Sequence, residues 1–133
     1  EAITLAKENA LALNLSSRVT FIKGNWFEPL DEGARFDLIV SNPPYLTEAE
    51  MQTAEPEVID HEPHNALASG QEGLDDLGLL FKSVPRHLAE GGLLALETGI
   101  GQADAIKAMA LEVSLHGQSV EDLSEHPRFF FAS

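Results

Sequence analysis

The sequence has 133 residues, of which 44% are hydrophobic and 23% are charged, a balance typical of a single globular domain. Its formal net charge of −14 repels phosphate backbones and anionic membranes at long range, which disfavours direct binding of nucleic acid. The apolar runs are far shorter than the roughly 20 residues of a membrane-spanning helix. Cysteine is absent, which excludes disulfides and thiolate ligands, and no secretory signal is evident. We therefore expect a cytoplasmic protein.

The first part of the chain predicts one helix and two strands. An amphipathic helix is expected over residues 1–13, with Asn14 as its C-cap, because apolar residues recur at helical spacing. Short apolar, β-branched runs follow at residues 19–22 and 36–40, and turn-forming residues end both. Both runs predict buried strands.

The second part alternates helices and strands. A helix is expected over residues 74–88, with Pro85 kinking it and Gly91-Gly92 stopping it. A strand at 93–97 and a helix at 102–115, capped by Gly117, come next. Residues 120–123 and 128–132 predict an antiparallel hairpin. This alternation favours a parallel sheet covered on both faces, a Rossmann-like α/β plan. Residues 46–72 lack periodicity, and a segment of that length is expected to be functional, partly ordered or both.

The tetrapeptide Asn42-Pro43-Pro44-Tyr45 follows the second predicted strand at its carboxyl end, where ligands of open α/β sheets bind. Neither proline has a backbone N–H, and each residue before a proline is held extended. The Asn42 side-chain oxygen and a nearby main-chain carbonyl can accept both hydrogens of a planar amino group, and Tyr45 offers it an aromatic face. The motif predicts a site for a planar, weakly nucleophilic nitrogen, and a plain turn is the alternative.

This motif resembles the Asn-Pro-Pro-Tyr of S-adenosylmethionine-dependent methyltransferases that act on amide or exocyclic amino nitrogens. The rest of the chain is similar to the HemK-type glutamine methyltransferases of release factors. That similarity is carried by His61-Glu62-Pro63, residues 66–70, 72–74, 88–92 and 96–99, Gln102, Asp122-Leu123 and Pro127-Arg128-Phe129. The resemblance implies a class I methyltransferase fold, with a mostly parallel sheet, a C-terminal antiparallel hairpin and the first two strands apparently lacking.

The resemblance also implies how the substrate is held. Asn42 and the carbonyl of Pro43 would accept hydrogen bonds from a glutamine amide, and Tyr45 would pack on the glutamine side chain. Pro44 and Glu62-Pro63 are expected to shape the substrate side of the pocket. The implied reaction transfers a methyl group to the glutamine of the Gly-Gly-Gln motif in peptide chain release factors.

The cofactor implied by the resemblance is S-adenosylmethionine. Asn25 stands where relatives have an aspartate that contacts the adenine, and we expect Asn25, its neighbour Trp26 and Asn42 to contact the cofactor. Ordinary loop capping is the alternative for Asn25, and a core position is the alternative for Trp26. The family's glycine-rich loop and ribose-binding acid would lie upstream of Glu1. Residues 1–133 are therefore expected to form a partial catalytic domain that is inactive by itself, binds cofactor weakly or not at all, and self-associates through exposed sheet edges.

Other features receive smaller roles. Gly99-Ile100-Gly101 predicts a turn, since it lacks the third glycine of a dinucleotide-binding loop. His61 and His64 lack a clear third ligand, so no metal site is expected. Glu97 either lines the site or only ends its strand. Three functional alternatives stay open: a ribosomal-protein glutamine methyltransferase, an adenine amino-methyltransferase acting on nucleic acid, and an inactive fragment or binding module.

Overall fold

The computed structural model describes residues 2–53, 63 and 66–133. They divide into two compact units, Glu1–Asp31 and Glu32–Ser133. The first unit contains helix α1 (Ala2–Ala12). The second contains β1 (Phe36–Ser41), α2 (Glu48–Thr53), α3 (Asp75–His87), β2 (Leu88–Glu97), α4 (Ala103–Glu112), β3 (Gly117–Glu121) and β4 (Pro127–Ala132).

Helix α1 ends as the sequence predicts. Asn14 has a φ of 57°, the left-handed conformation that asparagine tolerates better than most residues. The N–H of Leu15 donates to the carbonyl of Ala10 at 2.7 Å, and that of Asn14 donates to the carbonyl of Leu11 at 3.1 Å. These two bonds form a Schellman motif, which satisfies carbonyls that the helix end would otherwise leave unpaired.

Residues 19–22 do not form the predicted strand. Val19 and Ile22 are 39% and 51% exposed, and no strand in the described part of the chain pairs with this run. An extended segment without a neighbour leaves its N–H and C=O groups unpaired, so propensity alone does not stabilise it as a strand. The prediction was wrong because it rested on the residue types of the run alone, whereas a strand also needs a neighbouring strand to pair with.

The second unit is built on a four-stranded sheet with the order β1-β2-β4-β3. β1 pairs with β2 in parallel, with Val40 opposite Ala95. β4 pairs antiparallel with both β2 and β3, so the predicted C-terminal hairpin is confirmed. The sheet is therefore mixed, and its parallel pair places the carboxyl ends of β1 and β2 side by side.

Helices α3 and α4 cover one face of this sheet. Leu94, Leu96 and Phe130 point into that layer and are at most 2% exposed. The ring of Phe130 meets that of Phe81 edge to face, with centroids 6.3 Å apart. The opposite face carries exposed apolar side chains, including Leu38 and Val40. Of the described helices of this unit, α3 and α4 contact the sheet, and the expectation of helices on both faces stays a prediction.

The glycine pair at 91–92 does not stop helix α3. The helix includes Pro85 in its last turn and ends at His87, and β2 begins at the next residue. The pairing with β1 shifts register between Phe36 and Leu38, opposite Leu88 and Leu93. Gly91 therefore lies in an irregularity inside the strand. Its φ of 72° is in the left-handed region, which glycine adopts without steric cost.

Helix α4 ends before the predicted cap. Ser114 takes the left-handed position with a φ of 62°, and the N–H of Leu115 donates to the carbonyl of Ala110 at 2.9 Å. Gly117 begins β3 instead, where an added Cβ would collide with the ring of Phe130. That glycine is needed for close packing, so the prediction that it caps the helix was wrong.

Candidate active site

The Asn42–Tyr45 corner begins where β1 ends, at the carboxyl end of the parallel strand pair. Pro43 is fully buried whereas Asn42 is exposed, so the first proline anchors the corner and leaves the amide at the surface. All four residues line a cavity of about 330 Å³, and its other described walls are Leu46, Ala66 and Leu67. The motif therefore stands at the edge of a cavity large enough for a small planar group.

The acceptors of this corner are available to a ligand. Within residues 2–53, 63 and 66–133, no hydrogen bond engages the side chain of Asn42 or the carbonyl of Pro43. Neither proline has an N–H that would compete for an acceptor. This arrangement has the chemistry needed to receive both hydrogens of an amide NH₂ group, and the residue roles stay predictions.

The opposite wall of the cavity is tied to the corner by main-chain pairing. The N–H of Leu46 donates to the carbonyl of Leu67, and that of Ser69 donates to the carbonyl of Leu46, each at 3.0 Å. The buried Ser69 hydroxyl then accepts from the N–H of Asp76 at 2.7 Å, in the first turn of α3. The wall is thereby held between the corner and the beginning of a helix.

The phenol end of Tyr45 is held by a polar cluster. Arg128, at the beginning of β4, donates from Nη2 to the Tyr45 hydroxyl at 2.9 Å and to Oε1 of Glu97 at 3.0 Å. The Tyr45 hydroxyl donates to the same Glu97 oxygen at 3.4 Å. The guanidinium carbon lies 5.0 Å from the centroid of the Tyr45 ring, a cation–π contact. Glu97 therefore has both of the roles that the sequence left open: it ends β2 and it contacts the motif.

Burial by itself lowers the pKa of Arg128. The hydrogen bonds and charges of Tyr45 and Glu97 outweigh that effect, and the pKa is raised above its ordinary value. The guanidinium is therefore charged throughout the accessible pH range.

The main-chain end of Tyr45 is held by Gln102, which directly precedes α4. Its Nε2 donates to the carbonyls of Tyr45 and Gly73, each at 3.1 Å, and its Oε1 accepts from the N–H of Gly99 at 2.9 Å. Gly73 has a φ of 68°, and a Cβ there would collide with the Tyr45 carbonyl. The predicted turn at residues 99–101 is confirmed, and it delivers Gln102 to this position.

A second cavity of about 350 Å³ shares Tyr45 and Leu46 with the first. Thr47 and Glu50 form one wall as a reciprocal cap: Glu50 accepts from the Thr47 N–H at 2.8 Å, and Thr47 Oγ1 accepts from the Glu50 N–H at 3.1 Å. The Thr47 N–H and the Thr47 hydroxyl both donate to Oε2 of Glu50 at 2.8 Å, and these two bonds lower the pKa of Glu50. Because Tyr45 lines both cavities, it lies between them.

The remaining predicted site residues are placed less fully. Pro63 is exposed, and its carbonyl accepts from the Ala66 N–H at 2.8 Å. Glu62, with the two histidines at 61 and 64, lies outside the described residues. Asn25 and Trp26 belong to the first unit; both are exposed, and Trp26 has a φ of 46°. Their contacts with a cofactor stay predictions.

Residues 2–53, 63 and 66–133 contain neither a metal-binding cluster nor a membrane-spanning helix. There, no group of three or more His, Cys, Asp or Glu side chains is arranged to hold a metal ion. No helix in the same ranges is long and apolar enough to cross a membrane.

The sequence did not identify Arg128 and Gln102 as site residues. They lie 83 and 57 residues from Tyr45 along the chain, so local patterns do not connect them to the motif. The signal that could have found them is their presence in segments that resemble the methyltransferase family.

Comparison with known proteins agrees with this geometry. Residues 1–74 match the family described as the methyltransferase small domain, and the chain belongs to that family. The resemblance seen in the motifs is confirmed by relatives named release factor glutamine methyltransferase. That of Geobacter sulfurreducens is 46% identical over 108 residues, covering 81% of this chain and 37% of the relative. That of Caulobacter vibrioides is 41% identical over 133 residues, covering 96% and 44%.

The chain spans less than half the length of these relatives. Among solved structures, the ribosomal protein L11 methylase of Lactobacillus delbrueckii subsp. bulgaricus superposes with a TM-score of 0.61. The two are 21% identical, and the match covers 99% of this chain and 51% of the other. This likeness confirms the methyltransferase-like α/β fold.

Proposed function

We propose that this chain forms the substrate-holding part of an S-adenosylmethionine-dependent methyltransferase. Its substrate is the glutamine side-chain amide in the Gly-Gly-Gln motif of peptide chain release factors. The observation that carries the proposal is the donor-free corner at the end of β1, where the exposed Asn42 faces a cavity. The names of the relatives support the substrate, and release factors act in the cytoplasm, where we place the protein.

The chemistry follows from the needs of an amide nitrogen. Its lone pair is delocalised, so it attacks a methyl group only when it is held in line with the bond that breaks. Asn42 and the Pro43 carbonyl fix the two N–H groups in that orientation, and the proton is lost after transfer. Alignment of reactants recovers about 7–11 kcal/mol of barrier, whereas a neutral hydrogen bond contributes about 1 kcal/mol to stability. Positioning is therefore the main catalytic device.

The methyl donor fits the polar groups that this chain offers. Bound S-adenosylmethionine supplies an electrophilic methyl group on a positively charged sulfur. Asn25 is exposed, and its amide oxygen is able to accept from an adenine amino group, as an aspartate would. We assign Asn25, Trp26 and Asn42 to the cofactor, and Asn42, Pro43, Pro44 and Tyr45 to the substrate, with Glu62 and Pro63 beside it.

The charge of the chain favours a protein substrate. An adenine amino group on nucleic acid would also fit the corner, but the net charge of −14 opposes a phosphate backbone. The likeness to a ribosomal protein L11 methylase concerns the fold alone, at 21% identity.

Methylation of a release factor by the complete gene product tests the proposal. Mass spectrometry would follow one methyl group onto the glutamine of Gly-Gly-Gln, and a release factor with that glutamine changed to alanine is the substrate control. The Asn42→Ala variant should lose at least about 100-fold in turnover, because the amide is no longer aligned. Asn9→Ala, at an exposed asparagine of α1, should keep full activity.

Unchanged turnover by the Asn42 variant would refute the assigned role. Methylation of a ribosomal protein in place of the release factor would support the alternative substrate. Salt-sensitive binding of duplex DNA would revive the nucleic-acid alternative.

We also propose that the chain self-associates. β1 stands at one end of the strand order, so one of its edges has no strand partner in the described part of the chain. Its side chains Leu38 and Val40 are 56% and 69% exposed. An unpaired edge beside an apolar face favours pairing with a second copy.

A further inference from the structure

We infer that Arg128 is a positioning residue of this site. Its guanidinium, tied to Glu97, holds the hydroxyl and one face of Tyr45, so that the other face is presented to the glutamine side chain. This inference rests on the proposed function for the identity of the substrate. The contact between Arg128 and Tyr45 can be tested without that substrate.

The contacts of Arg128 restrain the Tyr45 ring in two ways. The hydrogen bond from Nη2 to the Tyr45 hydroxyl, at 2.9 Å, fixes the far end of the ring. The guanidinium carbon, 5.0 Å from the ring centroid, covers one aromatic face. A planar guanidinium can make both contacts at once, whereas a lysine ammonium is a single point charge on a flexible stem.

Arg128 is itself held against the end of β2. Its carbonyl accepts from the Thr98 N–H at 2.9 Å, and the next residue, Phe129, pairs with Glu97 in the antiparallel ladder. The Arg128 and Glu97 side chains are only 23% and 32% exposed, so solvent screens their ion pair less than a surface pair. The sheet therefore sets the position of the guanidinium, and the guanidinium sets the position of the ring.

This arrangement makes the orientation of Tyr45 depend on β4. The main chain of Tyr45 is fixed by Gln102, but its side chain would still rotate between rotamers without the contact at the hydroxyl. Tyr45 lines both cavities, so such a rotation would change the walls of both. Since Asn42 aligns the amide and Tyr45 packs on the same side chain, a loose ring would misalign the nitrogen.

Fluorine NMR tests the holding of Tyr45 in the chain itself. Tyr45 is the single tyrosine of the sequence, so labelling with 3-fluorotyrosine reports on this ring alone. Arg128→Met should shift the fluorine resonance and narrow it, because the freed ring reorients faster. Glu97→Gln, which keeps the shape but removes the charge, should shift it less. Arg86→Met, at an exposed arginine of α3, is the matched control and should leave it unchanged. A resonance in the Arg128 variant identical to that of the unchanged protein would overturn the inference.

Kinetics of the complete gene product test the consequence for catalysis. Arg128→Met should lower kcat about 100-fold, the loss expected from misplacing a reactant by about 1 Å, with the KM for S-adenosylmethionine unchanged. Arg128→Lys should recover only part of the loss. Both are compared at a temperature where circular dichroism shows them folded. A folded Arg128→Met enzyme with full kcat would contradict the inference. Full kcat with a lowered melting temperature would show that Arg128 has only a structural role.

The two arms separate this inference from the proposed function. If the unchanged protein methylates no release factor, the proposed function fails, and the fluorine resonance still decides whether Arg128 holds Tyr45. If Arg128→Met does not fold, Glu97→Gln supplies both readings, and an unchanged resonance with full kcat would overturn the inference.

Discussion

The two faces of the sheet differ although their side chains are similarly apolar. One face, with Leu94, Leu96 and Phe130, lies under α3 and α4 and is almost completely buried. The other presents Leu38 and Val40, which are more than half exposed. The difference shows that apolar side chains on a strand do not decide which face is covered. The helices that pack on the sheet decide it, and substitutions on both faces and at the two helices test this comparison.

The largest effect is expected on the covered face. Phe130→Ala removes a ring that is fully buried against Phe81, so it should lower the free energy of unfolding by about 3–5 kcal/mol. Chemical denaturation followed by circular dichroism would measure the loss. A loss below about 1 kcal/mol would mean that the helices do not form a close-packed cover.

A smaller loss of stability is expected at Gln102, which directly precedes helix α4 and hydrogen-bonds to the candidate site. Gln102→Leu leaves the carbonyls of Tyr45 and Gly73 without their donor, which should cost about 1–3 kcal/mol of stability. The same denaturation experiment would measure it. Gln118→Leu, at an exposed position of β3, is the control and should change stability by less than about 0.5 kcal/mol. Equal losses in the two variants would contradict the role of Gln102.

A hydrogen bond at the first turn of the other covering helix should contribute less. Ser69→Ala removes the hydroxyl that accepts from the Asp76 N–H, and the loss of such a bond costs about 1 kcal/mol. Hydrogen exchange at the first turn of α3 should accelerate in this variant, and that at α4 should not. Uniform acceleration in both helices would show that Ser69 acts on the whole unit rather than on one helix end.

The smallest effect on stability is expected on the uncovered face. Val40→Lys should change the free energy of unfolding by less than about 0.5 kcal/mol and should weaken self-association in sedimentation velocity. Its neighbour Ile39 points to the opposite face and is 9% exposed, so Ile39→Lys should destabilise strongly. Similar stability of the two variants would remove the distinction between the faces.

The sequence predicts those parts of the fold that depend on near neighbours. Helix α1, its Asn14 cap, β1 and the β3–β4 hairpin are confirmed, because spacing, turns and adjacent strands determine them. The run at 19–22 fails because a strand also needs a partner. The cap of α4 falls on Ser114 because Gly117 is required for packing against Phe130, which lies far along the chain from that helix end.

The candidate site divides in the same way. The Asn42–Tyr45 corner is visible in the sequence, because prolines and an asparagine after a strand define its rigidity and its acceptors. The residues that hold Tyr45 are not, because Arg128 and Gln102 come close to it only after β2, β4 and α4 have assembled. A local pattern contains the residues predicted to hold the substrate, and the tertiary fold brings together the residues that contact Tyr45.

The pairing of Leu46 with residues 67–69 has a mechanical consequence. The Ser69 N–H donates to the Leu46 carbonyl in the cavity wall, while its hydroxyl accepts from the Asp76 N–H in the first turn of α3. A bulky ligand that spreads the wall at Leu67 would therefore have to stretch the hydrogen bond between Ser69 and the first turn of α3. We expect this connection to resist widening of the cavity, which would favour a flat amide over a branched group.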